Sequence, residues 1–185
     1  MNDTLTPVLT STEYKAFQPN DGLRYDFHNG ELIALAPESD RHEKQVKRVA
    51  DALETESGLR RCTVFHTHTK IETQADVTYL HADVSVTCNF LEFKSGNPIM
   101  RQPRMLAEVV TADSRDRDRG FKWQQYQQVI SLWYCLFVDP ENKTIDVYTK
   151  DTGSGAWHCR TYRQPDELIP FDRFEMAIPV KNFFV

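Results

Sequence analysis

Apolar and polar positions alternate through Leu23–His28 and again through Glu31–Leu35, on either side of Asn29-Gly30. Asn-Gly between two alternating runs predicts a tight hairpin, because both residues tolerate the positive φ that a two-residue turn needs. Such a turn pairs residue 28 with 31 and 26 with 33. Asp26, His28 and Glu31 then share one face, and Tyr25, Phe27 and Leu32 share the other. Upstream, Thr10-Ser11-Thr12-Glu13 reads as a capping box that opens a short helix carrying Tyr14 and Phe17, which Asn20-Asp21-Gly22 ends. Residues 1–9 read as a loose tail.

Downstream of Pro37 the period lengthens. Val46, Val49, Ala50 and Leu53 form the apolar stripe of a helix from Asp40 to Glu56, which Gly58 stops. Its other face, with Arg41, Glu43, Lys44, Lys47 and Arg48, reads as solvated. Residues 62–73, 79–88 and 105–110 read as strands, with a polar loop containing Gly96, Pro98 and Pro103 before the last. From Asp116 to Val129 the pattern is helical, with Asp118, Lys122 and Tyr126 stacked at i, i+4 and i+8. Strands at 132–138, 144–149 and 157–162, separated by turns, predict an antiparallel meander. The tail from Ala177 to Val185 is expected in the core. The sum is one α/β domain over residues 1–185, a mixed sheet with helices on its faces.

Composition narrows the function classes. With 22 Lys+Arg against 27 Asp+Glu, the net charge of -5 excludes a generally basic nucleic-acid coat but not a local basic groove. Mean hydropathy is -0.55, and no apolar run approaches the roughly 20 residues of a membrane helix. The first residues carry no signal-peptide pattern. Cys62, Cys88, Cys135 and Cys159 are isolated, without a CxxC pair, which excludes a zinc ribbon. The first three lie in or beside apolar strands and read as buried thiols of a reduced, cytoplasmic protein.

Candidate chemistry rests on acids that interrupt apolar strands. Asp83 lies within Leu80-His81-Ala82-Asp83-Val84, and Glu108 within Leu106-Ala107-Glu108-Val109-Val110. A buried carboxylate is costly unless something pairs with it, and a cation is one such partner. If the two strands are neighbours, a Mg²⁺ ion fits between them, held by carboxylates, a backbone carbonyl and waters. Lys122, on the next helix, is placed to steady a water or a phosphate, and Asp26 or Glu31 to add a carboxylate. Two further groupings compete. His66 with His68, and His81 with Asp83, are two apart on strands and suit a His/His/Asp metal site, against the plainer reading of hydrogen-bonded strand histidines. Arg101, Arg104, Arg115, Arg117, Arg119 and Lys122 form a locally basic stretch that suits a phosphate backbone, and the interleaved Asp113, Asp116 and Asp118 suit ion pairing within the helix equally well. His42 reads either as a surface cap or as a residue near the cleft. No nucleophilic triad, phosphate-binding glycine loop or dinucleotide fingerprint is present.

The order of these motifs resembles the Uma-two family of bacterial restriction endonucleases, a branch of the PD-(D/E)xK nuclease superfamily. The likeness runs from about Thr10 to Phe184. It rests on Leu23-Arg24-Tyr25-Asp26 with Asn29-Gly30-Glu31-Leu32, Pro37 and His42, and on His81-Ala82-Asp83-Val84. It continues through Leu106-Ala107-Glu108-Val109-Val110, Asp118-x3-Lys122-x3-Tyr126, Ile130-Ser131-Leu132, Val138-Asp139-Pro140 and Val147-Tyr148. The resemblance implies a restriction-endonuclease-like mixed central sheet flanked by helices, with an N-terminal hairpin and a C-terminal meander. It implies Asp83, Glu108 and the Val109 carbonyl as metal ligands and Mg²⁺ as cofactor, with Mn²⁺ as a substitute. Lys122 stands in for the lysine missing from position 110, and Asp26 or Glu31 is the early acid. The chain departs from the family at Ala82 (usually proline), Asp26 (usually glutamate), residues 111–114 and Tyr134. DNA is the implied substrate, and a homodimer would serve to cut two strands. The rival readings are a non-catalytic nucleic-acid- or protein-binding module of the same fold and a metal enzyme acting on a small phosphate ester.

Overall fold

The hairpin forms as its sequence predicts. Strands β1 (Arg24–His28) and β2 (Glu31–Leu35) pair in the expected register around Asn29 and Gly30, whose φ angles are 49° and 93°. The computed structural model describes residues 9–54, 62–66, 69–93 and 99–185. Helix α1 (Ser11–Ala16) opens on the capping box: the Glu13 N–H donates to Thr10 Oγ1 at 3.2 Å, and the Thr10 N–H donates to the Glu13 carboxylate at 2.7 Å. The helix stops at Ala16, ahead of the expected Asn-Asp-Gly breaker. The predicted loose tail falls mostly outside the described residues. Its last residue is held, since the Leu9 N–H donates to the Gly30 carbonyl at 2.8 Å.

Helix α2 (Asp40–Glu54) buries Val46, Val49, Ala50 and Leu53 as expected, and the predicted stop at Gly58 lies outside the described residues. Two expected strands divide. Residues 62–73 contain β3 (Thr63–His66) and β4 (Lys70–Gln74), and residues 79–88 contain β5 (Thr78–His81) and β6 (Val84–Thr87). The short β7 (Ile99–Met100) precedes β8 (Pro103–Val109). The meander is β9 (Tyr134–Asp139), β10 (Thr144–Lys150) and β11 (Trp157–Tyr162). One sheet runs β2-β1-β5-β4-β7 and the other β11-β10-β9-β8-β6-β3. Ala82-Asp83 is therefore the step from the first sheet into the second. Both halves of that run are fully buried, so hydrophobicity continues across the break and hides it.

The second sheet is mixed: β8 and β9 are parallel, and its other pairs antiparallel. The strand period of two sorts its two faces. Met105, Ala107 and Val109 pack with α2 on one face, whereas Leu106 and Val110 pack with Tyr126 and Val129 on the other. Glu108 follows the second set, so its carboxylate emerges beneath the segment that crosses from β8 to β9. That segment is not the continuous helix expected over 116–129. It is a π-helical turn, Arg117–Lys122, followed by one short turn of α-helix, α3 (Trp123–Tyr126), with the Trp123 N–H bonding to the Asp118 and Gly120 carbonyls. Gly120 weakens the regular helix, and the buried charges of Asp118 and Lys122 bind tertiary partners, so the register widens where the site is built.

β12 (Leu168–Phe171) and β13 (Met176–Pro179) form a two-stranded ribbon on the α2 side, a hairpin the sequence reading did not resolve. Phe183 and Phe184 are buried there as expected, but Val185 is exposed. The cysteine expectation is corrected. Thr63 pairs with Thr87, which sets Cys62 opposite Cys88, and the two form a disulfide. Cys135 is a buried free thiol and Cys159 an exposed one. Cysteine usage thus no longer argues for a reducing compartment. No helix of the described residues is long and apolar enough to cross a membrane.

Candidate active site

Val84 pairs with Ala107 across β6 and β8, so Asp83 and Glu108 stand at the next position of the same register. The Val109 N–H donates to Asp83 Oδ2 at 2.7 Å, which ties the sheet-to-sheet step to the end of β8. Asp83 Oδ1 carries no hydrogen bond among the described residues, although the residue is only 8% exposed. Glu108 is more completely engaged. Lys122 Nζ donates to Oε2 at 2.9 Å and the Tyr126 hydroxyl donates to Oε1. Lys122 also pairs with Asp118 at 3.3 Å. The predicted stack of Asp118, Lys122 and Tyr126 is therefore real, and what it stacks against is Glu108.

Electrostatics at this centre follow from burial and pairing. Burial pushes the Glu108 carboxyl upward, against the pull of Lys122. Burial alone would lower Lys122, but Glu108 and Asp118 outweigh it and hold the ammonium above the usual lysine range. Lys122 is therefore a fixed positive charge at neutral pH.

These groups open on one cleft of about 1240 Å³. Asp83, Glu108, Val109 and Lys122 line it, together with Glu38 and His42 from the entrance to α2. His42 Nδ1 contacts Glu38 Oε2 at 3.1 Å, and Nε2 lies 3.1 Å from the Val109 carbonyl and 3.4 Å from Asp83 Oδ2. Arg24 holds the other Glu38 oxygen. Burial tends to lower the His42 pKa, but Asp83 and Glu38 raise it to about 10. Glu38, bonded to His42 and then Arg24, is held down to about 2. Of the two readings for His42, the cleft is the one the structure places. Glu38 was not singled out from the sequence. Its signal was the i, i+4 spacing to His42 across a helix start, which without a tertiary partner looks like a capping pair.

Asp26 and Glu31 part company. Asp26 is fully buried behind the cleft and does not line it. Its Oδ1 accepts from the His81 N–H and from His81 Nδ1, both at 2.8 Å, and its Oδ2 accepts from Arg117. His81 and Arg117 do line the cleft, so Asp26 reaches it through them. Glu31 pairs opposite His28 at the hairpin tip, exposed and away from the cleft. Among the described residues, the alternative His/His/Asp set does not assemble. His66 is exposed on β3, His81 is turned onto Asp26, and His68 lies outside the described residues.

The arginine stretch is an ion-paired surface, not a free basic groove. Arg101 pairs with Glu72, Arg115 with Asp139, Arg117 with Asp26 and Arg119 with Asp146, while Arg104 lies over the Trp133 ring. The partners of these arginines come from other elements, and pairing with an interleaved aspartate is found at Lys122, with Asp118. Arg41 and Lys44, expected on a merely solvated face, are exposed but line the cleft mouth.

Those donors could hold a divalent cation: the free oxygen of Asp83, the Val109 carbonyl, the remaining lone pairs of Glu108, and, within 4.8 Å of one another, donor atoms of Glu38, His42 and Asp83. A mixed sheet with an acid at a strand break, a second acid on its neighbour and a lysine on the crossover defines the restriction-endonuclease-like class. A solved structure of that fold, described as a putative nuclease belonging to DUF820 from Anabaena variabilis ATCC 29413, superposes with a TM-score of 0.74. It is 16% identical, over 95% of this chain and 97% of that one. The family model described as Uma2, putative restriction endonuclease, matches residues 11–181, and the chain belongs to that family. Two relatives from Synechocystis, the uncharacterized proteins slr1290 and sll1609, are 25% and 24% identical. The alignments cover 88% and 82% of this chain and 84% and 86% of theirs.

Proposed function

We propose that the chain is a Mg²⁺-dependent endonuclease that hydrolyses phosphodiester bonds in DNA, with Mn²⁺ as an effective substitute. The observation that carries this reading is Asp83: a buried carboxylate with one oxygen unpartnered, facing an open cleft beside Glu108 and Lys122. Burying a charge without a full set of partners costs several kcal/mol and is retained where function uses it.

Asp83, Glu108 and the Val109 carbonyl hold the cation. When bound, it polarises a phosphoryl oxygen and acidifies a coordinated water. Lys122 has three N–H groups: one donates to Glu108, and a second is assigned to the Asp118 side, where the ion pair spans 3.3 Å. The third remains for a phosphate oxygen or the attacking water, where it offsets the charge that builds up in the transition state. Tyr126 and Asp118 hold the Glu108–Lys122 pair in place. Asp26 serves as a positioning residue for Arg117 and His81, and Glu31 takes no part. Cutting both strands of a duplex needs two such clefts, which a homodimer supplies.

A second reading is a non-catalytic module of the same fold. The pairing of Arg101, Arg115, Arg117 and Arg119 by carboxylates favours it, because those charges are not free for a phosphate backbone. Incubating DNA with the protein and Mg²⁺ separates the two. Cleavage by the wild type that is lost in Asp83→Asn and in Lys122→Met supports the nuclease. Absence of cleavage, with any DNA retention weak and indifferent to both substitutions, supports the module.

A further inference from the structure

The proposed cation site contains a nitrogen donor. His42 Nε2, the Val109 carbonyl and Asp83 Oδ2 face one another, with separations of 3.1 Å and 3.4 Å from the ring nitrogen. Two donors bound to one metal at about 2.1 Å lie roughly 3.0 Å apart in an octahedron and roughly 3.4 Å apart in a tetrahedron. The ring nitrogen is thus already spaced from each of the two oxygens as along an edge of a coordination shell. Asp83, a buried residue whose Oδ1 carries no hydrogen bond among the described residues, lines the same cleft. The second ring nitrogen is committed elsewhere, because Nδ1 contacts Glu38, which Arg24 holds from its other oxygen. A carboxylate on the far nitrogen is the arrangement that orients a histidine toward a metal.

We propose that a cation displaces to solvent the proton that His42 Nε2 shares with the Val109 carbonyl and takes Nε2 as a direct ligand, that Glu38 is its positioning residue, and that the site consequently prefers Mn²⁺ over Mg²⁺. This rests on the reading that Asp83 holds a cation. An imidazole ligand favours borderline transition ions, whereas Mg²⁺ selects oxygen donors and keeps its waters. Asp83 and Val109 provide oxygen, and His42 supplies the discrimination.

The test titrates Mn²⁺ and Mg²⁺ separately into the metal-free full chain by calorimetry and records pulsed EPR of the Mn²⁺-loaded protein. The expected spectrum contains a ¹⁴N coupling that is replaced by ¹⁵N when the chain is made with ¹⁵N-histidine, a readout that needs no variant. His42→Ala should weaken Mn²⁺ by about tenfold or more while changing Mg²⁺ only a few-fold, and Glu38→Gln should weaken Mn²⁺ by about tenfold with His42 retained. Bound Mn²⁺ without a histidine nitrogen coupling overturns the proposal, as does an equal loss of both ions in His42→Ala. Ion binding that is abolished by Asp83→Asn yet unchanged by His42→Ala sinks His42 alone. Wild-type protein that binds neither ion sinks both His42 and the Asp83 reading beneath it.

Discussion

Asp26 and Asp83 are both buried aspartates beside the same cleft, and they do opposite things. Asp26 has both oxygens filled, by two N–H groups of His81 and by Arg117, and it is sealed from the cleft. Asp83 has one oxygen tied to the Val109 N–H and the other open to the cleft. The difference teaches that burial alone does not mark a candidate cation ligand. An unfilled oxygen is the better mark, because a carboxylate whose lone pairs are already met by fixed donors gains little from a metal.

The comparison breaks most visibly at Asp26. Asp26→Ala leaves Arg117 and His81 without their buried partner and should cost about 3–5 kcal/mol in urea unfolding. Mn²⁺ affinity of the folded fraction should stay within a few-fold. A comparable loss of cation binding would mean that Asp26 is itself a ligand.

Reducing the Cys62–Cys88 bond, or replacing both residues with serine, should cost about 3 kcal/mol by releasing the loop between them in the unfolded chain. Cation binding and cleavage should not change, because the bond joins β3 to β6 at the opposite end of β6 from Asp83. Thermal unfolding with and without reductant measures the first, and calorimetry the second.

Asp83→Asn should reverse the pattern of Asp26. It removes cation binding and cleavage, while stability falls by only about 1–3 kcal/mol, since the amide oxygen can still accept from the Val109 N–H. A stability loss as large as that of Asp26→Ala would erase the distinction between the two aspartates.

Asp139 gives the smallest effect. Burial tends to raise its carboxyl, but the Asn142 and Glu141 N–H groups, the Asn142 side chain and Arg115 outweigh it and hold it below the ordinary value. A lowered carboxyl stabilises the fold fully above the unfolded value of 3.8, and that stability is lost as pH falls through the lower folded value. Asp139→Asn should therefore lower stability by less than about 1 kcal/mol in the neutral region and leave it nearly unchanged below the folded value, which flattens the acid limb of the unfolding curve.

Much of the fold and part of the site were legible along the chain. The capping box at Thr10, the Asn29-Gly30 hairpin, the buried stripe of α2 and the meander all arise from interactions within a few residues, where composition and period determine geometry. The placement of Asp83 opposite Glu108, and of Lys122 against Glu108, also followed once the strands were taken as neighbours. The break of the 79–88 run was not legible, because two buried strands in different sheets demand the same apolar residues as one long strand. The π-helical turn escaped for a related reason: the tertiary charge pairs of Asp118 and Lys122 override the local helical pattern.

What the sequence by itself determined is thus the set of elements and the presence of acids where strands should be apolar. Only the tertiary structure decided which acids remain open. It joined Cys62 to Cys88, spent the arginines on distant carboxylates, closed Asp26 with His81 and Arg117, and brought Glu38 and His42 to Asp83 from the entrance to α2. Each of these is a pairing between residues far apart in the chain. Its energy depends on distance and desolvation, which local spacing does not encode.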